Sequence, residues 1–346
     1  MHVLSCTRTE VALRYTLAVP ARPLRLSLVF SVLLAALALA TLASLYVGRA
    51  AFDPRFLPLR WHRTQVAFFA GAGLAVGGVV LQGLFRNPLA SPSILGTTAG
   101  AALGGQLALV AVYAAWGARA PFGLPSELAM PLGCVAGALV TLAIVLGLAP
   151  LRASPIALLL SGFLLSALFS SLSTLLESMV QEDWQLSRTL HVLSAGSLSG
   201  AGPRQSALVA VLCCGAALPA WAWARELDVL LSGEDEARSL GVDVRRARFW
   251  LIVWSAFLSA GAVAVGAHVT FVGLIVPHVL RRFIGHGHRA LIPAAFAGGG
   301  TFLLACDVLC RLTPLRNEVP LGAVTALIGG PLFLRLLVRL ETEGAA

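Results

Sequence analysis

The sequence predicts an all-α polytopic membrane protein with about ten transmembrane helices. Two observations carry this. Mean hydropathy is +0.86 and only 12% of the 346 residues are charged, against about 25% in soluble domains. Several uncharged runs also reach the ~18–20 residues that a helix needs to cross a bilayer core. The lengths leave room for one membrane domain, residues 26–340, with a tail at 1–25 and another at 341–346.

Taken in order, the first apolar segment is 26–47. It follows Arg22 and Arg25 as a signal peptide would, but its length exceeds the ~7–15 residues of a signal core, so it reads as a span. The second (64–85), third (94–116) and fourth (127–149) carry Gly73 and Gly77, then Gly96, Gly100 and Gly104, then Gly133 and Gly137. Small residues four apart let helix backbones approach closely in lipid. The fifth segment is 156–176 and the sixth 204–224. Between them Gln181–Gly202 is only moderately apolar, and a short amphipathic helix at 181–203 near the outer surface is expected. The seventh is 249–267. The eighth, FVGLIVPHVLRRFI (271–284), is short and contains Pro277, so a broken or partly inserted helix beside the seventh is expected. The ninth (291–312) and tenth (320–340) complete the set.

An even number of crossings puts both termini on one side. With the termini inside, sixteen of the 25 arginines fall in inner segments, leaving nine outside, which is the direction of the positive-inside bias. The net charge of +9 is therefore a topology signal. The arginines form no basic stripe with interleaved aromatics, which argues against a nucleic-acid partner. All the basic residues are Arg. Without lysine there is no P-loop or Schiff-base lysine, so an ordinary ATP-hydrolysing site would have to lie on another chain. Cys306 and Cys310 lie one helical turn apart, a spacing that a metal can use, but their apolar setting reads as packing.

Two stretches stand out for function. In LQGLFRNPLASPSILG (81–96) a glycine-rich span ends, and Arg86, Asn87, two prolines and two serines precede the next run. Read structurally this is a cytoplasmic hairpin; read functionally it is a gate at the inner mouth of a pathway. In SGEDEARSLGVDVRRAR (232–248, within a cytoplasmic loop at 225–248) three acids open a short helix, where they suit its dipole, and Gly241 closes it. Leu240 is then an apolar side chain exposed among charges, fitted to docking, and Arg245, Arg246 and Arg248 anchor the seventh span at the membrane.

The Glu-Ala-x-x-x-Gly pattern at 236–241 resembles the coupling motif of ABC importer permeases. Together with GAGLAVGGVVLQGLFRNPLASPSILGTTAGAALG, FVGLIVPHVLRR, HRALIP and EVPLGAVTALIGGPLF it resembles the FecCD family of type II importers, over about residues 55–340. The family moves ferric siderophores, haem and vitamin B12 across the bacterial inner membrane. The resemblance implies a homodimeric permease with no cofactor of its own. Two ATPase subunits would hold ATP and Mg, and a periplasmic binding protein would deliver the substrate. It implies a coupling helix at Glu236, Ala237, Arg238, Ser239, Leu240 and Gly241. It also implies inner gates at Asn87, Pro88 and Leu89 and at Ser154 and Pro155, with binding-protein docking by Arg60, Arg63 and Arg311. Arginine suits such docking because its planar fork matches carboxylates.

Three positions depart from the family pattern: His62 where Pro is usual, Ala267 where Gly is usual, and Gly287 where Asp is expected. His62, His191 and His268 raise the question of haem ligation, against the plainer reading of hydrogen-bonded histidines near helix ends. Haem, or another iron chelate, is the expected substrate, with ferric siderophore and then vitamin B12 as alternatives. An ion-coupled secondary transporter would need acids at mid-membrane, and only Asp307, one turn from Arg311, is placed near such a role.

Overall fold

The computed structural model describes residues 26–47, 53–93, 95–116, 126–148, 155–198, 201–266, 269–312 and 319–344. Among them the chain is helical, with no strands. The helices are α1 (Leu26–Tyr46), α2 (Leu57–Phe85), α3 (Thr97–Trp116), α4 (Ser126–Leu148), α5 (Pro155–Met179), α6 (Trp184–Ala195) and α7 (Pro203–Ala222). There follow α8 (Ala224–Ser232), α9 (Glu234–Ser239), α10 (Val244–Val263), α11 (Val272–Ile284), α12 (His288–Leu312) and α13 (Leu321–Gly344).

The axis of the molecule is α2. Every residue from Ala70 to Phe85 is buried, which a helix apolar on all sides and rich in small residues permits. It packs against α12, α10, α7 and α11. Its partnership with α12 is antiparallel: Arg63 meets Asp307 near one end, and Gly83 meets His288 at the other. Gly71 and Gly299 face each other between these contacts with no room for a Cβ. At 1.5 Å per residue the two ends of α2 lie roughly 40 Å apart. The expected glycine seam between the third and fourth spans forms as α3 on α4, with Gly100 and Gly104 against Gly133 and Gly137. At the rim, α1 and α5 expose long apolar side chains, among them Leu34, Leu39, Leu160, Phe163, Leu164 and Leu168.

The expected amphipathic segment is α6, which buries Leu186, Leu190 and Leu193 and exposes Trp184. Asp183 caps it, accepting from Leu186 N at 3.0 Å. Of the expectation for the eighth segment, the shortness stands, at 13 residues, and the break is corrected. The segment with Pro277 is an uninterrupted helix, α11, packed against α2, α12 and α13. Pro277 frees the Gly273 carbonyl four residues earlier. Gln82 of α2 supplies the missing donor, its Nε2 lying 3.0 Å from Gly273 O, so the helix continues without a break. Arg281 Nη1 in turn donates to Gln82 Oε1.

Candidate coupling and gating site

The two stretches singled out in the sequence lie on one end of the bundle, where α2 ends and α12 begins. Only Gly233, at φ 132°, separates α8 from α9, a conformation open to glycine and few others. In α9, Ala237 is fully buried while Glu236, Arg238, Ser239 and Leu240 are exposed, Leu240 at 70%. The helix closes as a Schellman turn: Gly241 takes φ 83°, its N–H donates to Arg238 O at 3.0 Å, and Val242 N donates to Ala237 O at 2.9 Å. Arg238 leans back on Glu234 and Asp235. Of the three arginines read as membrane anchors, Arg245 and Arg246 are exposed, but Arg248 is not. It is buried at 5% and pairs with Glu234, tying the first turn of α9 onto α10. This largely buried pair fixes how the short helix is presented.

The gate stretch leaves α2 through Arg86, a left-handed C-cap at φ 49°. Asn87 Oδ1 accepts from Leu89 N at 2.9 Å, a tight Asx turn. The chain then folds back, with Thr97 Oγ1 3.0 Å from both Pro92 O and Ser259 Oγ of α10. Ser166 of α5 donates to Ser93 O at 3.1 Å. The loop is thereby bound to three helices. Of the second expected gate, Pro155 is the first residue of α5, and Ser154 lies outside the described residues.

A contact that sequence reasoning missed joins these parts. His288, the first residue of α12, is 1% exposed. Asp228 of α8 accepts on one oxygen both its backbone N–H, at 2.8 Å, and its ring Nδ1, at 2.6 Å. Burial pushes the Asp228 carboxyl up, but the bonds and charge of His288 outweigh it and hold the group below the ordinary carboxylate range. His288 Nε2 is buried without a hydrogen-bond partner among the described residues and lies against Gly83. Sixty residues separate Asp228 from His288, so no local pattern announced the pair.

The three expected docking arginines gather at the opposite end. Arg63 forks onto Asp307, with Nε and Nη2 at 3.0 and 2.8 Å from Oδ1. Arg311 Nη2 lies 2.9 Å from Oδ2. Arg311 also donates to Ser44 O at 2.8 Å, and Arg60 to Leu45 O at 2.7 Å, which ties α1 to the cluster. The pairing of Asp307 with Arg311 expected from their spacing is present, with Arg63 as a second partner. Among the histidines, His62 Nδ1 lies 3.0 Å from Ser206 Oγ and His191 Nδ1 lies 3.6 Å from Glu177; His268 lies outside the described residues.

The chain as a whole has close relatives among known proteins. The model of the FecCD transport family matches residues 13–339. The chain belongs to the FecCD transport family. Among FecCD-like relatives, the hemin transport permease HmuU of Yersinia pestis is 38% identical over 82% of this chain and 83% of its own length. The cobalamin import permease BtuC of Halobacterium salinarum is also 38% identical, over 81% and 72%. The iron(III) dicitrate permease FecD of Escherichia coli is 36% identical over 82% and 84%. A metal-chelate-type ABC transporter solved in an inward-facing conformation superposes with a TM-score of 0.79 at 31% identity, covering 90% of this chain and 99% of that one. This FecCD protein is thus a multi-pass membrane permease of a type II ABC importer.

Proposed function

We propose that the chain carries haem inward across a bacterial inner membrane, as a homodimer driven by two ATPase subunits and fed by a periplasmic binding protein. The observation that carries the mechanism is the Schellman-closed helix α9, which presents Leu240 on the end of the bundle where the gate loop also lies. ATP and Mg bind the partner subunits. Leu240 docks into them, Glu236 to Gly241 transmit their motion, and Asn87, Pro88 and Leu89, with Ser154 and Pro155, open or close the inner mouth. The exposed apolar face of α5 is where a second copy would pack. At the other end Arg60, Arg63 and Arg311 meet carboxylates of the binding protein. Arg63 and Arg311 are largely buried and paired with Asp307, so an incoming acid would have to share these two forks with it. This end faces outward and both termini inward, in the sense of the arginine bias.

Haem is favoured by the hemin permease among the relatives. A cobalamin permease matches at the same identity, so vitamin B12, like a ferric siderophore, is the second reading. Titrating the cognate binding protein with haem and following the Soret band separates them. A shifted band with saturable binding is expected; an unchanged band beside tight binding of cobalamin or a ferric siderophore replaces haem with that substrate. Transport by the reconstituted chain without any ATPase subunit would overturn the importer reading itself.

A further inference from the structure

The three contacts at the inner end of α2 have a geometry that packing alone does not require. Asp228 sits in α8, which runs into α9 through the single residue Gly233. Its carboxylate holds His288 by two bonds to one oxygen. That fixes the ring with Nδ1 as donor, because the bond made by one ring nitrogen sets the state of the other. The opposite edge of the ring, Nε2, is pressed on Gly83, where any Cβ would overlap it. Leu227, fully buried on the same helix as Asp228, would lie 3.3 Å from that Cβ. Four residues after Gly83 the chain is already at Asn87, whose N–H is still bonded back to Gln82 O at 3.2 Å. With its Nε2 edge against Gly83 inside the fold, the ring has no room to shift toward α2 without moving that helix's last turn.

We propose that Asp228, His288 and Gly83 form the joint that passes movement of the coupling helix to the gate loop. The inference rests on the reading of α9 as the coupling helix. When α9 is displaced, the end of α8 is drawn with it, because the single residue Gly233 limits how far the two helix ends can part. Asp228 carries the imidazole along, and its Nε2 edge bears on the last turn of α2, from which the gate loop hangs. Close-packed interiors pass such displacements as discrete shifts rather than absorbing them. His288 and Asp228 are positioning residues; they touch neither substrate nor nucleotide.

The test uses the complex with its ATPase subunits in proteoliposomes, with Leu89→Cys as a reporter. Two quantities are read: ATP turnover, and the ATP-dependent change in the rate at which a membrane-impermeant maleimide labels position 89, located by peptide mass. His288→Ala and Gly83→Ala are expected to reduce that change by about tenfold, within the range of ordinary coupling energies, while ATPase association and ATP turnover persist. His288→Asn keeps a donor where Nδ1 stood and removes the Nε2 edge, so Gly83→Ala combined with His288→Asn is expected to recover most of the response. An undiminished labelling response in both single variants overturns the joint. So does a joint loss of ATPase association, turnover and melting temperature that the double variant does not recover, since that is the mark of a purely structural role. Gly241→Pro serves as the control. If it abolishes the response while the His288 and Gly83 variants keep it, the joint is wrong and the coupling helix stands. If Gly241→Pro has no effect, the coupling-helix reading fails and the joint with it.

Discussion

At the scale of single residues the decisive feature is one carboxylate, Asp307, holding two guanidinium groups while itself 1% exposed. Arg63 and Arg311 are 13% and 8% exposed, so neither charge has water to fall back on. Removing one member of such a buried group leaves charge uncompensated and costs about 3–5 kcal/mol. Asp307→Asn is therefore expected to lower the melting temperature of the detergent-solubilised protein clearly, and Asp307→Leu combined with Arg63→Met to lower it less. Equal melting temperatures for wild type and Asp307→Asn would show that the cluster does not stabilise the fold. Arg311 and Asp307 could be paired from their spacing on one helix. Arg63, 244 residues away, could not, because nothing local encodes which helices become neighbours.

At the scale of elements, composition located most spans to within a few residues, but α2 starts at Leu57, seven before the expected 64, α10 starts at Val244, five before the expected 249, and α8 lies in a stretch expected to be loop. The early turns of α2 carry Arg60, His62 and Arg63, polar enough to read as loop, yet their side chains are taken up by neighbouring helices. Pro277 misled in the opposite direction: a proline normally ends a helix, but the amide of Gln82 supplied the donor that Pro277 lacks. The end of α9 was legible because Gly241 is a local signal for a positive φ. Proline at 241 cannot adopt φ 83°. Gly241→Pro is expected to leave binding-protein docking intact while ATP hydrolysis ceases to drive transport, measured as substrate accumulated per ATP in proteoliposomes. Accumulation unchanged from wild type would remove α9 from the mechanism.

At the scale of the whole molecule, α5 is the element least covered by its own chain, with Leu160, Phe163, Leu164, Leu168, Leu172 and Leu175 all exposed. Lipid accepts such a face, but Ser166 of the same helix donates to Ser93 O in the loop after α2, so a partner packed on α5 would sit beside the proposed gate. Cysteines placed at Leu168 and Leu172 are expected to cross-link between copies in native membranes with short bismaleimides, while a cysteine at Leu34 on α1 is not. Cross-linking at Leu34 but at neither α5 position would rule out α5 as the face on which the proposed homodimer packs.

The sequence by itself determined that this chain is a bundle of membrane helices, where the loops between them lie along the chain, and that residues 234–241 make a short presented helix. Those properties follow from local composition, from the length a bilayer demands and from turn chemistry within a few residues. Only the tertiary structure decided that α2 and α12 run antiparallel, that Arg248 is buried on Glu234 rather than anchored at the membrane, and that Asp228 grips His288 against Gly83. The reason is physical: a polar side chain taken out of water must find its partner wherever packing brings one, and that partner is set by helix neighbours tens to hundreds of residues away.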